Sequence, residues 1–198
     1  MLKRFLLSSV CIVLTSLPVA AADLPTDHFQ PPAPAVLPQT PVFYDYELRI
    51  GGLAHDPLSP EHGSADLNAE ILFPKFWHAS NSFWDQFIPH PDLGFTANFA
   101  GKTSNLYGGA AWNFDITERF FVSGEFGPGL NNGETGHIVS AGHNKVGCNV
   151  WFHESASGGY RLTERWSIMA TIEHSSNAGI CSENRGLTNY GLRVGYRF

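Results

Sequence analysis

Two segments decide the fold: Trp166-Ser-Ile-Met-Ala-Thr-Ile-Glu-His-Ser-Ser176 and Thr188-Asn-Tyr-Gly-Leu-Arg-Val-Gly-Tyr-Arg-Phe198. In the second, Tyr190, Leu192, Val194, Tyr196 and Phe198 alternate with Asn189, Gly191, Arg193, Gly195 and Arg197. A period of two residues marks a strand with one apolar face. In the first, Trp166, Ile168, Ala170 and Ile172 share a face, and the same parity then reaches His174 and Ser176. A histidine and a serine continue a face that is otherwise apolar.

The pattern repeats towards the N-terminus. Tyr44, Tyr46, Leu48 and Ile50 alternate with Asp45, Glu47 and Arg49, and Leu67, Ala69, Ile71 and Phe73 with Asp66, Asn68 and Glu70. Further apolar faces are Leu93, Phe95, Ala97 and Phe99; Leu106, Ala110, Trp112 and Phe114; and Phe120, Val122, Gly124 and Phe126. A sixth strand runs from Cys148 to Tyr160, with Val150 and Phe152 outward and Trp151 and His153 inward. Charges opposite the apolar faces imply a polar interior. A soluble lipocalin-like barrel needs the reverse, so the reading is all-β: an eight-stranded antiparallel transmembrane barrel of the outer-membrane type. Asp115-Ile-Thr-Glu-Arg119 and Arg161-Leu-Thr-Glu-Arg165 are near-copies and mark one rim. Gly101-Lys-Thr103 is a tight connection, His55 to Ser64 a turn, and Gly129 to Gly147 a longer polar loop. The aromatic stretch Trp77 to His90 is long for a turn and predicts a short helix at headgroup level.

Residues 1–22 pair Lys3 and Arg4 with an apolar run and end in Ala20-Ala-Ala22, a signal peptide that implies export. Residues 23–41 hold six prolines and read as a periplasmic leader, leaving 42–198 for the barrel. Losing Lys3 and Arg4 moves the net charge from −6 to −8, which argues against a nucleic-acid partner. Cys148 and Cys181 survive cleavage as an even pair in an oxidising compartment and form a disulfide candidate. His137, His143 and His153 have no diagnostic ligand spacing, so neither metal nor cofactor is expected. A homodimer is left open.

His174 and Ser176 point the same way on one strand. That arrangement suits acyl transfer, the imidazole accepting the hydroxyl proton as the oxygen attacks an ester. Asn177 and the N–H of Gly179 would receive the oxyanion. The plain alternative is that the pair ends a strand at the headgroups of a non-catalytic barrel with a structural or surface-binding role.

The segment His174-Ser-Ser-Asn-Ala-Gly179, on the penultimate strand of an eight-stranded barrel ending in Phe198, resembles the outer-membrane lipid A 3-O-deacylases. The resemblance implies catalytic roles for His174 and Ser176 and an oxyanion role for Asn177. It implies lipopolysaccharide as substrate, specifically the 3-O-linked acyl chain of lipid A, among outer-membrane lipids. It also expects a glutamate after a Gly-hydrophobic pair at the start of the last strand. Here that pair is Gly186-Leu187 and the next residue is Thr188. Thr188 keeps the outward parity without the carboxylate. Glu183, in the preceding loop, is the alternative third member.

Overall fold

The computed structural model describes residues 46–198; the expected signal peptide and leader, together with Tyr44 and Asp45, lie outside the described residues. The strands are β1 (Glu47–His55), β2 (Ser64–Leu72), β3 (His90–Asn98), β4 (Asn105–Asp115), β5 (Phe120–Asn131), β6 (Val150–Arg161), β7 (Trp166–Ser176) and β8 (Leu187–Arg197). Each pairs antiparallel with its neighbours and β8 closes onto β1, giving a barrel of eight strands. Closure removes free sheet edges and satisfies every ladder internally, as hydrocarbon demands.

The alternation sorts as the sequence reading expects. Ile50, Ile168, Ile172, Leu192 and Val194 are exposed on the outer surface, while Arg49, Glu70, Glu125 and Arg193 are buried inside. Arg49 Nη1 meets Glu125 Oε1 at 2.7 Å, and Arg193 joins Glu70 at 2.9 Å and Glu125 at 3.1 Å. Removing one member of such a buried network costs about 3–5 kcal/mol, because a charge is left uncompensated. Inward aromatics fill the space over glycines on neighbouring strands: Tyr107 over Gly94, Phe121 over Gly159 and Trp151 over Gly129. The interior is therefore packed, not an open pore.

The inner rim carries the two copied turns. In each, a threonine hydroxyl caps the next strand: Thr117 Oγ1 accepts from Phe120 N and Thr163 Oγ1 from Trp166 N. The aromatic connection holds a short helix, α1 (Ser82–Asp85), whose exposed Phe83 and Trp84 suit the headgroup region.

Three sequence boundaries move. Phe99 falls just past β3; β5 continues to Asn131; and Cys148 precedes β6 rather than opening it. In each case an alternating strand end runs into loop residues of similar composition, so parity alone does not fix the boundary. The segment 56–63 is more than a turn. Glu61 within it is buried and accepts from Thr103 N at 3.0 Å, Thr103 Oγ1 at 2.9 Å and Asn144 N at 2.9 Å. Glu61 thereby ties three outer loops together across the barrel mouth. Burial alone would raise its carboxyl, but the His55 bond and the Asn144 and Thr103 donors outweigh it and hold the group down at about 2.

Candidate active site

β7 and β8 bring the outward residues of the sequence motif into one row. His174 lies opposite Thr188 and Ser175 opposite Leu187. His174 Nδ1 is 2.8 Å from Thr188 Oγ1. In the tautomer that donates Nδ1–H to that oxygen, Nε2 keeps its lone pair. A Cβ added at Gly186 would meet His174 Cε1 at 2.7 Å and Nε2 at 3.0 Å. The ring therefore rests on the bare backbone of Gly186, and continuing the β7–β8 register sets Gly186 opposite Ser176. The imidazole climbs from its own position towards the level of the serine. Both His174 and Ser176 are partly exposed on the lipid-facing side.

Directly after Ser176 the chain turns through two left-handed residues, Ala178 (φ 52°) and Gly179 (φ 79°). Asn177, fully buried, pins this turn. Its Nδ2 donates to Val146 O at 2.8 Å and Glu183 O at 2.7 Å, and its Oδ1 accepts from Gly179 N at 2.9 Å. The side-chain amide of Asn177 and the N–H of Gly179 are thus both committed to the loop, not directed at a substrate. The sequence reading missed this because Val146 is 31 residues away in the chain. A disulfide joins Cys148 to Cys181, with Cα atoms 6.1 Å apart, and locks the same loop to the strand-entry segment of β6.

The two candidates for a third member part company. Thr188 bonds the imidazole. The Glu183 carboxylate sits 2.7 Å from His137 Nδ1, and that bond lowers its pKa. It is spent on a loop–loop contact and does not orient His174. The three histidines weighed as metal ligands are not brought together: His153 is buried in the barrel, stacked on Tyr107, whereas His137 and His143 belong to the loop between β5 and β6.

Two hollows flank His174. One, about 450 Å³, lies on the lipid-facing surface and is lined by Trp112, Gly124, Phe126, Glu154, Ala156 and Ile172. Its floor is set by register: Trp112 opposes Gly124, Gly124 opposes Ala156 and Ala156 opposes Ile172, so two small residues sit between two large ones. The other, about 240 Å³, faces the outer loops and is lined by Asp56, Leu58, Arg185, Gly186, Thr188 and Tyr190. Neither Glu154 nor Asp56 was singled out in the sequence. For Asp56 the signal was present, since it continues the outward parity of Leu48, Ile50, Gly52 and Ala54.

A closed eight-stranded barrel, apolar outside and ionic inside, belongs to the class of outer-membrane barrels, and here it carries a histidine and a serine on its lipid-facing surface. Comparison with known proteins narrows the class. The family model for lipid A 3-O-deacylase (PagL) matches residues 65–197, and the chain belongs to that family: it is a carboxylic ester hydrolase of the bacterial outer membrane. Its structure is similar to the crystal structure of the outer membrane enzyme PagL (TM-score 0.55, 17% identity, covering 78% of this chain and 99% of that one). The N-terminal β-barrel domain of Pseudomonas aeruginosa OprF is similar in fold (TM-score 0.53, 13% identity, 78% of this chain and 98% of that one). A search of curated protein sequences found no match.

Proposed function

We propose that the protein is a serine-type lipid A 3-O-deacylase, with Ser176 as nucleophile and His174 as general base. The observation that carries this reading is the imidazole itself. It is held through Nδ1 by Thr188 and leans over Gly186 towards Ser176, on the face where a lipid ester would arrive.

In this mechanism Ser176 Oγ attacks the carbonyl carbon of the 3-O-linked ester and passes its proton to His174 Nε2. The tetrahedral oxyanion collapses, the sugar 3-hydroxyl leaves with the proton from His174, and the acyl chain stays on Ser176. His174 then deprotonates a water that attacks the acyl-serine, and the fatty acid departs as Ser176 regains its proton. The oxyanion donor comes from the turn after Ser176: the N–H of Ala178 has no partner among the described residues, while those of Asn177 and Gly179 stay bonded to Asn184 Oδ1 and Asn177 Oδ1 and hold the turn in shape.

The apolar hollow beside His174 takes the acyl chain. Lipid tails are as apolar as its walls, so it contributes orientation more than affinity. Trp112 and Ile172 bound a floor of Gly124 and Ala156, which aligns the chain across β4 to β7 and brings its ester end to His174. No metal or cofactor enters the scheme.

A long-chain fluorophosphonate tests the serine mechanism. It should label Ser176 in the purified barrel, lose the label in Ser176→Ala, and label His174→Ala at least a hundredfold more slowly. Equal labelling of all three proteins would overturn this reading.

A further inference from the structure

We propose that Asp56 is the positioning carboxylate of this site, acting on His174 from the loop between β1 and β2 through Thr188. The inference rests on the serine–histidine reading above and adds a residue to it.

Thr188 fixes the imidazole but carries no charge, so it cannot favour the imidazolium that forms as Ser176 loses its proton. The row of outward residues supplies a charge one strand further on. β1 pairs with β8 so that Ala54 opposes Tyr190, and continuing that register by two residues sets Asp56 opposite Thr188. The bonds agree: Asp56 Oδ1 accepts from Thr188 N at 3.2 Å, and Asp56 N donates to Asn189 Oδ1 at 2.9 Å. Asp56, Thr188 and His174 then line the same 240 Å³ hollow.

Three features set Asp56 apart from an ordinary loop acid. It is 5% exposed, yet it forms no ion pair among the described residues. A buried carboxylate without a cation is costly. Its backbone is also held in the left-handed region at φ 32°, where a non-glycine residue is strained. The surroundings impose that conformation: Ser59 N donates to Asp56 O at 3.0 Å, and Asn144 Nδ2 donates to Asp56 Oδ2 at 2.7 Å, Asn144 itself being anchored on Glu61. A strained, buried acid, hydrogen-bonded by Thr188 and Asn144 but without a cation, shares a hollow with an imidazole that must become cationic, and it is compensated at the moment of reaction.

Other charged groups face His174. Glu154 lies opposite it on β6, but the ring leans the other way, onto Gly186 of the β8 side. Arg185 lines the hollow and is engaged through Nη2 with Leu58 O at 3.2 Å.

The test compares kcat, KM and pH–rate profiles on lipid A for wild type, Asp56→Asn, Thr188→Glu, Asp56→Asn/Thr188→Glu and Glu154→Gln, all as full chains in detergent–lipid micelles. Asp56→Asn keeps an acceptor for Thr188 N–H but removes the charge. We expect kcat to fall roughly tenfold to hundredfold with KM changed by less than about twofold. The acid limb should move to lower pH, because losing the negative charge disfavours the imidazolium. Thr188→Glu, which sets a carboxylate directly on His174, should restore the double variant to at least wild-type kcat; a loop that had merely come apart would not be rescued this way. The proposal is overturned if Asp56→Asn keeps wild-type kcat and acid limb, if the double variant stays as slow as Asp56→Asn, or if Glu154→Gln alone moves the limb. An inactive, folded wild type would instead overturn the esterase reading, and this inference with it.

Discussion

Gly186→Ala is a single-methyl probe of how the imidazole is placed. The added Cβ would lie 2.7 Å from His174 Cε1 and 3.0 Å from both Nε2 and the Ser175 carbonyl oxygen. That carbonyl belongs to the β7 ladder and cannot retreat, so the ring must. Restoring ordinary contact of 3.4 Å requires a withdrawal of roughly 0.7 Å, away from the strand position opposite Ser176. The same movement stretches the 2.8 Å bond to Thr188 Oγ1 towards the limit of a useful hydrogen bond. A displacement approaching 1 Å in a catalytic group costs about a hundredfold, so kcat should fall by about that factor while KM changes little. Fatty-acid release from lipid A, followed by liquid chromatography and mass spectrometry, gives the rates; heat-modified gel migration confirms the barrel. A folded Gly186→Ala protein within about threefold of wild-type kcat would refute the placement of the ring over this glycine.

Ala156→Phe should fill the floor of the apolar hollow and cut kcat/KM on lipid A roughly tenfold while sparing a short-chain soluble ester, read by comparing the two substrates on one preparation. The Glu61 clasp predicts a pH window. A carboxyl lowered from 4.5 to about 2 in the folded loops contributes stability that is present above pH 4.5 and is lost as pH falls through about 2. The contribution is about 3 kcal/mol locally, and hydrogen exchange at the Thr103 and Asn144 amides should register its loss, with the pH dependence gone in Glu61→Gln.

Much of this molecule is legible in one dimension because a barrel strand announces itself by parity. Tyr190 to Phe198 and Trp166 to Ile172 fix which side faces lipid, and the same count carries His174, Ser176 and Thr188 to the outer surface. The copied turns Asp115 to Arg119 and Arg161 to Arg165 fix the rim. What parity does not give is the pairing of loop groups. Asn177 reads as a donor to substrate until the Val146 carbonyl, brought in by the loop between β5 and β6, and the Glu183 carbonyl of its own loop claim both of its N–H bonds. Glu183 reads as a free acid until His137 takes it. Asp56 contacts Thr188 across 132 residues of sequence, and only barrel closure between β1 and β8 makes them neighbours.

The central claim is that Ser176, activated by His174, removes the 3-O-linked acyl chain of lipid A. Mass spectrometry of lipid A from cells carrying the wild-type protein or Ser176→Ala tests it directly. The account predicts a lipid A population lighter by one 3-O-acyl chain with wild type, and none with the variant at equal barrel content. Identical lipid A from the two strains, or deacylation that survives Ser176→Ala, would contradict it.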